Sequence, residues 1–161
     1  MDTQSFFNLK NKTAIVTGGG NGIGKSACKT LAAFGANVVV SDLKVADAET
    51  VRDEILASGG KAIAVNCNVM KDEDLQNVVR EALQAFGGIE ILVNNAGGGG
   101  GGRENPFQID VDRFKWVFEL NLFSAWRLSQ LCAPEMKKSG YGSIVNITSM
   151  SSVNKSPNMS A

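Results

Sequence analysis

The chain has 161 residues, 43% of them apolar and 20% charged, with sixteen basic side chains against sixteen acidic ones. That is length enough for one domain with a core, and the even balance, without a basic block, argues against a nucleic-acid surface. Histidine is absent, and Cys28, Cys67 and Cys132 stand far apart with no CxxC pair. His-based metal sites, Ser-His-Asp triads, imidazole relays and a zinc pattern are therefore excluded. No apolar run reaches the roughly 18 residues of a membrane span, and the opening MDTQSFFNLKNK lacks a secretory layout. A cytoplasmic location and no membrane partner are expected.

The first apolar, β-branched run is TAIVT at 13–17, followed by glycines; the same grammar returns at 37–41, 62–65, 89–93 and 143–148. Continuous rather than alternating runs suit strands buried on both faces of a parallel sheet. Helical stretches lie between them. One is expected over 47–58, closed by Gly59 and Gly60. The next carries Leu75, Val78, Val79, Ala82, Leu83 and Phe86 on one stripe before Gly87 and Gly88. A longer one is expected over 111–138, bent or ended near Pro134. This alternation predicts an α/β fold: a three-layer αβα Rossmann arrangement with a doubly wound parallel sheet.

TGGGNGIG at 17–24 links the first strand to the first helix. Phosphate fits such a helix N-terminus, held by free N–H groups and the positive end of the dipole. Two templates fit. Gly19, Gly24, Lys25 and Ser26 satisfy a P-loop, whereas Gly18, Gly22 and Gly24 give the spacing of a dinucleotide turn. Asp42 ends the second strand at the distance expected of an acid that grips an adenosine ribose diol. Its charge would repel a 2′-phosphate and favour NAD over NADP, a preference that nearby Lys44 weakens. Asp42 also suits a Walker-B aspartate, a reading that leaves the later motifs unexplained.

Together these motifs resemble the short-chain dehydrogenase/reductase family. TGGGNGIG matches its glycine loop, Asp42 its ribose acid, Asn94-Asn95-Ala96-Gly97 its NNAG motif, Asn121 its helix asparagine, and Ser149 in IVNITSMSS its active-site serine. The stretches VVVSDL, ILVNNAGGGG and LSQLCAPEMKKSG are especially similar to the family's bacterial hydroxysteroid dehydrogenases. The resemblance implies an NAD cofactor lined by Gly18, Gly22, Ile23, Gly24, Asp42, Leu43, Asn68, Val69, Asn95, Ala96 and Gly97. It implies a secondary-alcohol substrate, the 7α-hydroxyl of a bile-acid steroid, touching Gly99, Ser149 and Asn154. A 3-oxoacyl or sugar-alcohol reductase stays open within the family.

Two departures stand out. Asn68 occupies the position where the family uses aspartate to accept from the adenine amino group; an amide oxygen still accepts. The catalytic Tyr-x-x-x-Lys would place its tyrosine thirteen residues after Ser149, one position past Ala161. Residues 1–161 are thus expected to form the N-terminal portion of one dinucleotide-binding domain and to show no turnover alone. Tyr141 has no lysine four residues on and does not fit the motif.

Each residue also has a plainer reading. Asn121 lies on the stripe of Phe114, Val117, Phe118, Leu122, Ala125 and Leu128 and is expected to be buried. An unpartnered buried amide costs about 1–3 kcal/mol, so it either holds a relay water on a bent helix, as the family implies, or caps a carbonyl at a bulge. Ser149, with Ser151 and Ser152 as rivals, would hold the substrate oxygen. Asn95 suits a strand-end turn, and the glycines at 97–102 a loose connector. Trp116, Leu120, Phe123, Trp126 and Leu131 form a second apolar face, which the resemblance pairs with another copy in a homodimer or homotetramer, and which otherwise sits under more of the same chain. Two other classes stay open: a P-loop nucleotide hydrolase and a non-catalytic nucleotide-binding protein.

Overall fold

Strand runs without polar alternation bury both faces, and the computed structural model, which describes residues 7–99 and 107–149, arranges them so. Five strands form one parallel sheet: β1 (Thr13–Thr17), β2 (Asn37–Asp42), β3 (Lys61–Asn66), β4 (Ile91–Asn94) and β5 (Ser143–Asn146), in the order β3-β2-β1-β4-β5. Ile15 pairs with Val39 on one side and Leu92 on the other. The α/β Rossmann expectation holds.

Successive residues in a strand face opposite sides, so each run feeds two cores. Ala14, Val16, Val38 and Val40 pack with Cys28, Val51 and Ile55 under α1 (Gly22–Ala33) and α2 (Val45–Ala57). Ile15, Val39 and Leu92 pack with Leu75, Val78, Leu128 and Cys132 under α3 (Asp72–Phe86) and α5 (Ser124–Ser139). Burying each of the valines, leucines and isoleucines contributes about 1.5–3 kcal/mol. Asp72, Glu73 and Asp74 sit in the first turn of α3 and complement its dipole, and Gly87, at φ 78°, ends it.

The expected single helix over 111–138 is instead three segments. α4 (Val111–Phe118) passes into a π-helical turn (Glu119–Phe123) and then α5. The break lies at Asn121, and the helix continues through Pro134 to Ser139. Pro134 and Gln130, one turn before it, are both exposed, on the side of the helix where an orphaned carbonyl is least costly. The second apolar face also divides. Leu120 and Leu131 pack on the core, while Phe123 and Trp126 are 50% and 65% exposed. β5, at the sheet edge, leaves Ile144 and Val145 exposed. Among the described residues no helix is long and apolar enough to cross a membrane.

Candidate cofactor and alcohol site

The sheet order reverses between β1 and β4, because β2 and β3 lie on one side and β5 on the other. Chains leaving β1 and β4 therefore part and open a crevice at the C-terminal edge, the place where doubly wound sheets bind ligands. The glycine loop and the NNAG segment meet there.

Thr17 joins them. Its buried Oγ1 accepts the N–H groups of Asn95 and Ala96, each at 3.0 Å. Asn95 answers by donating Nδ2 to the carbonyls of Thr17 (2.9 Å) and Gly18 (3.0 Å). The side chain of Asn95 is thereby spent on the glycine loop. Gly18 turns at φ 62°, and a Cβ on Gly24 would collide with the Gly18 carbonyl. This loop delivers the chain to the N-terminus of α1, whose cap Asn21 makes no side-chain hydrogen bond and whose first turn holds no acid. The end N–H groups stay open to an anion.

Asp42 closes the neighbouring side. Its Oδ2 accepts from Gly20 N (2.9 Å) and Oδ1 from Lys44 N (3.0 Å), which fixes the carboxylate beside the loop. Ile23 and Leu43 flank it and are 66% and 65% exposed. These apolar side chains would cover an adenosine. Lys25, the lysine of the P-loop alternative, instead pairs with Glu54 of α2 at 2.6 Å, so its charge is held at α2. On the third strand's side, Asn68 Oδ1 accepts from Met70 N at 3.1 Å. One of its two lone-pair directions is thus used in a local turn. The Val69 side chain packs into the core, leaving its backbone for any ligand.

Asn121 departs from expectation. It is exposed rather than buried, because the wider π turn rotates it off the apolar stripe. Its Nδ2 donates to Val117 O (2.8 Å), the bulge-capping role, and also to Gly98 O (2.9 Å), while Oδ1 accepts from Gly98 N (3.0 Å). Gly97 lies against the same amide. Arg113 donates to Gly99 O at 2.6 Å. Gly98 and Gly99 are anchored from the helix, by contacts that leave no mark on the sequence.

Ser149 lies three residues past β5 at the same edge of the sheet, and Ile147 N bonds Asn94 O across to β4 (2.9 Å). Asn94, buried, ties β5 to α5 through Asn146 Oδ1 (2.9 Å) and Ser129 Oγ (3.3 Å). Glu90 was also missed: it is buried at the opposite edge and accepts Thr13 N at 2.8 Å. Its only sequence signal is an acid inside an apolar strand. Tyr141 lies at that far edge too, with the Lys12 ammonium 4.5 Å from its ring centre. It is remote from Ser149 and takes no part in the site. Asn154, Ser151, Ser152 and the glycines 100–102 fall outside the described residues. The three thiols are buried, and burial pushes Cys28 and Cys132 up to about 12 and Cys67 to about 11.

The profile of the short chain dehydrogenase family matches residues 12–161. The chain is 46% identical over 153 residues to a 7alpha-hydroxysteroid dehydrogenase of Escherichia coli (strain K12), covering 95% of this chain and 59% of that protein. It is 37% identical over 143 residues to a cyclohexanol dehydrogenase of Acinetobacter sp. (strain SE19), covering 88% and 56% respectively. A solved 7α-hydroxysteroid dehydrogenase complexed with NADH and 7-oxo glycochenodeoxycholic acid superposes with a TM-score of 0.92 at 45% identity, over 98% of this chain and 61% of that one. The chain thus spans about three-fifths of these relatives.

Proposed function

This chain belongs to the short chain dehydrogenase family, and we propose that it supplies the nucleotide half of an NAD-dependent oxidoreductase acting on the 7α-hydroxyl of bile-acid steroids. The observation that carries the cofactor reading is the Asp42 carboxylate, held by two backbone N–H groups beside the open N-terminus of α1. The steroid reading is supported by the relatives above.

The uncapped N–H groups of α1 would hold the pyrophosphate, and Asp42 would accept from the two ribose hydroxyls and repel a 2′-phosphate. Thr17 and Asn95 keep the glycine loop at its distance from β4. When bound, the nicotinamide supplies the hydride acceptor. Ser149 would hold the alcohol oxygen, Asn121 the relay water, and Asn154 a substrate hydroxyl. A tyrosine beyond Ala161 would take the proton. The exposed Phe123 and Trp126 would meet a second copy in a cytoplasmic homodimer or homotetramer. The test is a set of bile acids epimeric at C7, offered to the full-length enzyme with NAD while absorbance at the NADH band is followed. Oxidation of the 7α epimer alone is expected. Turnover restricted to 3-oxoacyl substrates would replace the steroid reading.

A further inference from the structure

A glycine run has the greatest backbone freedom and no side chains to anchor it. Whatever fixes it must reach in from elsewhere. α5 leads through Gly140 into β5, so it runs antiparallel to the strands and carries α4 to the C-terminal edge of the sheet. From there Arg113 reaches the Gly99 carbonyl, while its guanidinium lies 4.5 Å from the centre of the Trp116 ring. Stacking holds the guanidinium in plane and leaves its N–H edge for the carbonyl. The Cζ3 edge of the Trp116 ring in turn points at Gly99. A Cβ there would collide with Cζ3 and stand 3.0 Å from Cη2, and φ is +88°. Arg113 and Trp116 are half-buried and belong to neither apolar core, so packing of the sheet does not account for them.

Resting on the secondary-alcohol reading above, we propose that Arg113 and Trp116 are positioning residues. They fix the Gly98–Gly99 backbone as a wall on the alcohol side of the site and so set how tightly the alcohol binds. The segment begins just past Asn95–Gly97, where the nucleotide crevice ends, and lies on the side towards β5 and Ser149. The pyrophosphate and ribose contacts proposed above come from the N-terminus of α1 and from Asp42, to which neither Arg113 nor Trp116 bonds. Loosening it therefore acts on the alcohol and spares NAD.

The test uses the full-length enzyme, with a bile-acid 7α-alcohol and cyclohexanol as substrates. Arg113→Ala and Gly99→Ala are expected to raise KM for the alcohol about tenfold, with kcat within about threefold and KM for NAD within about twofold. Trp116→Ala is expected to raise it likewise, whereas Trp116→Phe, which keeps a ring under the guanidinium, stays within about threefold of the unaltered enzyme. In a Trp126→Phe background Trp116 is the one tryptophan left among residues 1–161, and the emission lost on Trp116→Phe isolates its signal, which Arg113→Ala shifts to the red as the indole meets water. If the unaltered enzyme is active and the two KM values rise together, or neither moves, the positioning role is overturned. If the unaltered enzyme oxidises neither alcohol, the functional reading falls first and the wall's role falls with it.

Discussion

Replacing Thr17 with valine tests the junction on which the site is built. The two side chains are near-isosteric, so the change removes one hydroxyl from a residue only 3% exposed and leaves the packing intact. Two N–H groups, of Asn95 and Ala96, lose their acceptor at once. An unsatisfied polar group of this kind costs about 1–3 kcal/mol when buried. Both donors are half-buried and regain some water, so the sum should be about 2–3 kcal/mol. For a chain of this size that lowers Tm by about 4–12 °C. Urea and thermal unfolding of Thr17→Val and Thr17→Ser measure it, with serine keeping the hydroxyl and retaining most of the stability. A valine variant within about 0.5 kcal/mol of the parent would mean that the two donors have other partners and that Thr17 does not hold the junction.

Asp42→Ala should reduce kcat/KM for NAD about ten- to a hundredfold and raise the NADP to NAD ratio at least tenfold, about 1.4 kcal/mol; an unchanged ratio would place the ribose elsewhere. Ser149→Ala should lower kcat about a hundredfold, as loss of one oxygen-orienting donor does, and near-parental turnover would bring Ser151 forward. The thiols fix a pH dependence. Folding raises Cys28 and Cys132 from about 9 to about 12 and Cys67 to about 11, so the unfolded chain releases these protons first. The stability contributed is full below pH 9 and declines as pH climbs from there to 12. Unfolding midpoints at pH 8, 9.5 and 10.5, compared with a Cys132→Ala variant, check the sign, and a parent that loses no more than the variant would contradict it.

Much of this was legible in the residues. Runs such as VVVS over β2 read as doubly buried strands because both faces of that strand are covered, and the glycine loop and Asp42 fall where their spacing requires. The 3.6-residue period puts Asn121 on the buried stripe because it assumes an unbroken α-helix, and the π turn at Glu119–Phe123 breaks that period at Asn121, which is exposed. Pro134 does not end α5, which runs on to Ser139; Gln130, whose carbonyl loses its intrahelical partner, is an exposed residue. Lys25 matched a phosphate-binding pattern, yet Glu54, twenty-nine residues away, claims it. The Arg113 and Asn121 contacts to the glycine run join side chains to backbone across 14 and 23 residues, and backbone acceptors leave no mark on the sequence.

On the reading proposed here, residues on β1, α1, β2 and β4 form the adenosine diphosphate half of an NAD site. Calorimetric titration of this chain with ADP-ribose, NAD and 2′-phospho-ADP-ribose tests it without any chemistry. ADP-ribose should bind about as tightly as NAD, within about threefold, because these contacts address the shared half, and the 2′-phosphate should weaken binding at least tenfold through Asp42. Equal affinity for the phosphorylated ligand, or no binding of ADP-ribose where NAD binds, would contradict the claim.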